Sequence, residues 1–141
     1  MLSSPSRAAS AYTKVGIETG VLDASPHKLI LMLFDGALMA VGSASRHMEN
    51  NEVSEKGLAI SRAIDIIANG LEASLDRKGD EQLVDRLSAL YDYMCVRLLH
   101  ANLKNDPAAL KEVAGLLGEI RSAWEEIAKD PAVLSPNKDA A

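Results

Sequence analysis

Apolar residues recur at steps of three and four along most of this chain, the period of an α-helix, and no segment shows the alternation of a β-strand. Four ladders stand out. They are Ile30, Phe34, Ala37, Val41, Ala44 and Met48; Ile60, Ile64, Ile67, Leu71 and Leu75; Leu83, Leu87, Leu90, Met94, Leu98 and Ala101; and Leu110, Val113, Leu117, Ile120, Trp124 and Ile127. Punctuation fits the ladders. Ser25-Pro26 and Asp106-Pro107 place a capping side chain before a proline tolerated at the first helical position. Ser54 and Asp80 are further caps, and Lys78-Gly79 is a stop. Helices are therefore expected from Pro26 to about Glu49, from Ser54 to Asp76, from Asp80 to about Asn105, and from Pro107 onward. Short connections favour antiparallel neighbours. The expected fold is all-α, an antiparallel up-down-up-down four-helix bundle over residues 25–129. Residues 1–24 are expected to be a flexible arm with a short amphipathic segment, and residues 130–141 a disordered tail.

The third helix carries more apolar surface than one bundle position needs. Beside its ladder runs a second row, Val84, Tyr91, Cys95 and Leu99, while Val96 and Leu103 fall on a third side. A surface helix needs one stripe of about 100°, so the excess predicts an outward-facing apolar surface. On the second helix Ala59, Ala63, Ile66, Gly70 and Ala73 share a face off the ladder. Small residues there make either a shallow trough for a partner helix or a close contact within the bundle; both readings stay open. Gly36, Gly57, Gly115 and Gly118 also stand inside helices, at about 1 kcal/mol each relative to alanine. Met32 and Met39 lie together off the first ladder. In the arm, Ala8, Ala11, Tyr12 and Val15 would form a small apolar face able to dock on the bundle.

Composition narrows the possibilities. With 141 residues, 48% hydrophobic and 25% charged, the chain reads as one globular domain. A net charge of −5 without a Lys/Arg cluster argues against nucleic acid. A lone cysteine allows no internal disulfide and fits a cytoplasmic setting. No secretory signal and no apolar run of membrane-spanning length is apparent, so direct membrane insertion is not expected.

Catalytic chemistry is sparse. No glutamate precedes a histidine by three residues, which removes the carboxylate-bridged metal bundle. Cys95 sits mid-helix among apolar neighbours, a small hydrophobe rather than a nucleophile. Asp35, Asp65 and Asp92 are expected to be solvated or salt-bridged. His100 could serve a histidine phosphotransfer module, but that pattern arises easily by chance and a solvated surface histidine is the better reading. No glycine-rich phosphate loop is present, and no enzyme activity, cofactor or metal is expected.

Several ordered stretches resemble a known family. They are Ser25-Pro26-His27-Lys28-Leu29 into Leu33-Phe34-Asp35-Gly36-Ala37; Ile64-Asp65-Ile66-Ile67, Asn69-Gly70-Leu71 and Leu75-Asp76; Leu90-Tyr91-Asp92-Tyr93-Met94, Arg97-Leu98-Leu99 and Ala101-Asn102; and Ala123-Trp124. Together they are similar to the flagellar secretion chaperones of the FliS family. The resemblance implies a cytosolic, non-enzymatic helical bundle. It implies a chaperone that binds the disordered C-terminal segment of flagellin, prevents premature polymerisation and delivers it to the flagellar type III export gate at the membrane. Its arm tyrosine maps to Tyr12. Cargo contact is expected at Tyr91, Leu99 and Leu103 and along Ala59, Ala63, Ile66, Gly70 and Ala73, and arm docking at Tyr12 and Val15. The molecule is expected to be a monomer or weak homodimer.

Overall fold

A computed structural model describes residues 8–11 and 25–127. Four long elements make the body: α1 (Pro26–Glu49), α2 (Val53–Asp65) running on as a π-helical segment (Ile66–Glu72), α3 (Glu81–Lys104) and α4 (Pro107–Ile127). No strand occurs among the described residues. Residues 1–7 and 12–24 of the expected arm, and the whole expected tail, 130–141, lie outside those residues.

Most boundaries follow the expected caps. The Ser25 hydroxyl accepts from the Lys28 amide at 3.1 Å, ahead of Pro26. Asp80 accepts from the Leu83 amide at 3.2 Å, and Asp106 from the Ala108 amide at 3.0 Å. Asn105 stops α3 in the left-handed region, φ 49°, where asparagine is better tolerated than most residues. The second helix departs from expectation. Its cap position is Glu52 with no side-chain cap bond, so Ser54 does not cap it. It also gives way to π geometry at Ile66 and ends at Glu72, short of Asp76. The wider i→i+5 turn winds the backbone less per residue. Ile66, Ile67, Gly70 and Leu71 are thus gathered on the buried side.

Packing partners form a ring: α1 lies against α2 and α4, and α3 against α4 and the α2–π element. Cross-contacts give the directions. Lys56 reaches Asn102 while Glu72 meets Ser88, so α2 and α3 are antiparallel. Arg97 meets Glu112 across α3 and α4. His27 stacks on Trp124, with ring centroids 4.7 Å apart, and its carbonyl accepts the Trp124 indole N–H, joining the start of α1 to the end of α4. Asp35 on α1 takes two hydrogen bonds from Arg121 on α4, the shorter 2.6 Å. Burial holds the His27 imidazole below its usual pKa, so it stays neutral near neutral pH.

The core runs through all four helices. Leu29, Leu33, Phe34, Ala37, Val41, Ile60, Ile67, Leu71, Met94, Leu98, Leu110, Val113 and Leu117 are sealed within it. α1 contributes most heavily. By length and composition it is apolar enough to cross a membrane, which corrects the expectation that no such stretch exists. Its place in the core accounts for that character, since it faces neighbours on two sides. Residues 8–11 form a helical turn whose Ala8 and Ala11 are buried, Ala8 within the core cluster itself. Part of the arm therefore docks; Tyr12 and Val15 lie outside the described residues.

The helix glycines do not mark close contacts at every position. A Cβ added at Gly57, Gly115 or Gly118 would meet nothing within 4 Å. Alanine at Gly115 or Gly118 is therefore expected to stabilise the fold by about 0.5–1 kcal/mol each, by restricting the unfolded chain. Urea denaturation of the single and double variants checks this; any destabilisation means that the backbone there needs glycine.

Candidate functional site

The exterior apolar surface predicted for α3 exists and includes the expected Leu99 and Leu103, but not the expected Tyr91. Tyr91 is a core residue at 3% exposure. Across the seam, Ile66 and Ala63 are fully buried at 0%, and Gly70 is buried too. These four are corrections to the expected groove lining. The physical reason is that the α2–π element has two neighbours. Ile60, Ile67 and Leu71 form one buried row, and the row Ala63, Ile66 and Gly70 beside it is buried as well. Lys56 and Glu72, at either end of that second row, both reach α3. The small residues therefore let two helices approach closely rather than leave room for a partner. Ala59 is half-buried at the rim, and Ala73 is exposed beyond the end of the π segment.

What stays outside is a stripe along α3. Val96 is 62% exposed, Leu99 58% and Leu103 78%. Spaced by three and four, they share one helix face. Register brings the stripe to the edge of the seam: with Lys56 opposite Asn102, antiparallel pairing sets Ala59 across from Leu99 and Ala63 across from Cys95. The lip of the seam is thus aliphatic on the α3 side and small on the α2 side. Met39 on α1 and Leu58 on α2 are further exposed apolar side chains, at 74% and 73%. Met32 packs against the core instead.

Two polar devices hold the stripe in place. Lys56 is buried, and its ammonium donates to the Asn102 carbonyl at 3.0 Å and to the Asn105 side-chain carbonyl oxygen. It thereby pins the end of α3 that carries Leu103. On the opposite edge, Glu112 of α4 accepts from Tyr93 and from Arg97, and those bonds hold its carboxyl below the usual range. His100 is partly buried, with its Nε2 at 3.1 Å from the Asp106 carboxylate. It is partnered rather than freely solvated.

Inside the seam, Ser88 donates to Glu72 at 2.6 Å, and Asp92 lies one turn further along the same face of α3. Burial and the Asp92 charge push the Glu72 carboxyl above its usual pKa. Burial, with the charges of Glu72 and Asp92, raises the Cys95 thiol from 9.0 to about 11. That upward shift suppresses the thiolate about 100-fold. Iodoacetamide at pH 8 is accordingly expected to label Cys95 about 100-fold more slowly in the folded protein than in urea, followed by mass spectrometry. Equal rates would mean that the thiol is open to solvent. Among the described residues no cluster of three or more His, Cys, Asp or Glu could hold a metal ion.

The sequence profile described as Flagellar protein FliS matches residues 8–131. The Flagellar secretion chaperone FliS of Salmonella typhimurium is 51% identical over 83% of this chain and 87% of its own length. That of Escherichia coli is 45% identical over 88% and 91%. That of Bacillus subtilis is 35% identical over 92% and 89%. With a four-helix bundle, a docked arm turn and an exposed aliphatic stripe in place of any catalytic centre, the chain belongs to the FliS family, flagellar secretion chaperones and not enzymes.

Proposed function

We propose that this chaperone binds the disordered C-terminal segment of flagellin in the cytosol, prevents its premature polymerisation and hands it to the export gate at the membrane. The observation that carries the reading is the Val96–Leu99–Leu103 stripe. A single exposed leucine is ordinary, but three large aliphatics in register make a patch, and such patches mark interaction surfaces. An amphipathic segment with anchors at matching spacing covers it in the helix-in-groove mode. Leu99 and Leu103 are the principal contacts, with Ala59 on the facing lip and Ala73 beyond it. Burial of Ala8 and Ala11 supports a role for the arm, with Tyr12 and Val15 as its further proposed contact residues. Binding needs neither cofactor nor nucleotide. Coupled folding and binding offsets its gain by several kcal/mol of ordering, which keeps release at the gate reversible.

Titration calorimetry with a flagellin C-terminal peptide tests this. One-to-one binding with a negative heat-capacity change, helix gain in the peptide and delayed filament assembly are expected. Absence of binding at tens of micromolar, with assembly unaffected, overturns it.

A further inference from the structure

The stripe on α3 does not run out into neutral surface. One helical turn before Val96, on the same face, stands exposed Asp92; one turn earlier still, Ser88 reaches Glu72 across the seam, which brings the Asp92 and Glu72 carboxyls near one another. At the other end, directly after Leu103, stands exposed Lys104. The apolar ground is therefore acidic at one end and basic at the other. Glu72 already accepts from Ser88 at 2.6 Å, and Arg77, whose charge favours its ionised form, is committed to Asp85 at 3.2 Å.

We propose, resting on the flagellin-binding reading above, that the segment seated on Val96, Leu99 and Leu103 carries a lysine or arginine over the Asp92–Glu72 pair, and that this contact sets its register. Aliphatic anchors at steps of three and four are nearly equivalent after a slip of one turn, so grease alone positions a segment poorly. A charge pair at one end removes that degeneracy, as it does between coiled-coil helices. The two carboxylates repel one another, and that repulsion adds to burial in raising the Glu72 pKa. A cation over them relieves the repulsion. An uncharged occupant would instead cover them at a desolvation cost.

The sign of one substitution decides between these. Asp92→Asn, at an exposed position, should leave the thermal midpoint unchanged. If a cation pairs there, affinity for the flagellin C-terminal peptide falls about fivefold in low salt, and the deficit closes as salt is raised. Unchanged or tighter binding by Asp92→Asn overturns the proposal. Replacing each Lys or Arg of the peptide by glutamine locates the partner: at one position the loss should be non-additive with Asp92→Asn. Additivity at every position overturns the proposal as well. Leu99→Asp is measured in parallel. If that variant binds normally, the stripe itself is not the site and the broader reading fails; if it does not bind while Asp92→Asn is silent, only the charge register fails. A dimer of the free protein that Leu99→Asp dissolves would place a second copy on the stripe and overturn the proposal.

Discussion

Replacing Ile66 with aspartate is expected to unfold the protein. Ile66 is fully buried in the π segment, in the row that Lys56 and Glu72 bracket with their bonds to α3. Removing its side chain alone costs about 2–5 kcal/mol through lost burial and the cavity left behind. A carboxylate in its place adds several kcal/mol more, because a charge is taken out of water into an apolar core. Total stability of a domain this size is about 5–15 kcal/mol, so the variant should yield little folded protein. Ile66→Val, which keeps most of the volume, should cost only about 0.5–1.5 kcal/mol. Circular dichroism melts of the two variants check this. A cooperative melt of Ile66→Asp near the parent midpoint would show that position 66 faces water and that the seam is packed differently. A surface groove at Ile66 calls for the opposite outcome, with affinity lost and the midpoint kept, so the experiment separates the two arrangements cleanly.

Leu99→Asp and Leu103→Asp should behave in the reverse way. Both side chains are more than half exposed in the free protein, at 58% and 78%. Exposed helix positions tolerate charge within about 0.5 kcal/mol, so the melts should overlay that of the parent. If flagellin covers the stripe, each leucine contributes about 1.5–3 kcal/mol of burial, and an aspartate also has to be desolvated. Loss of affinity by about 100-fold for either variant, and abolition in the double variant, is expected by calorimetry. Full retention of binding by the double variant would move the cargo to another face, where Met39, Leu58 and Val53 are among the exposed large apolar side chains.

How legible the chain is depends on the kind of information each residue carries. Caps are local: Ser25, Asp80 and Asp106 satisfy amides two or three residues away, and their helices begin where they predict. Ser54 fails as a cap because the helix begins two residues earlier, with Glu52 at the cap position. Cys95 reads as a small buried hydrophobe rather than a nucleophile; the structure leaves it half-buried, with its thiol pKa raised. Lys56 was not legible. A lysine amid polar residues reads as solvated, and its burial depends on the Asn102 carbonyl and the Asn105 side chain, 46 and 49 residues away. The Glu72–Asp92 pair was missed for the same reason, although an acidic residue directly before the exposed stripe was a visible signal.

Periodicity and capping, both short-range properties, determined by themselves that this chain makes four long helices with an apolar surplus on the third, and the ordered family stretches pointed to a flagellar chaperone. Only the tertiary structure decided which part of the surplus faces out. A helical wheel gives the angles between residues but not the phase of the helix against its neighbours. An element held between two partners buries two adjacent rows, and the π turn at Ile66 shifts that phase again. Hence Tyr91 and Ile66 went inward while Leu99 and Leu103 stayed in water.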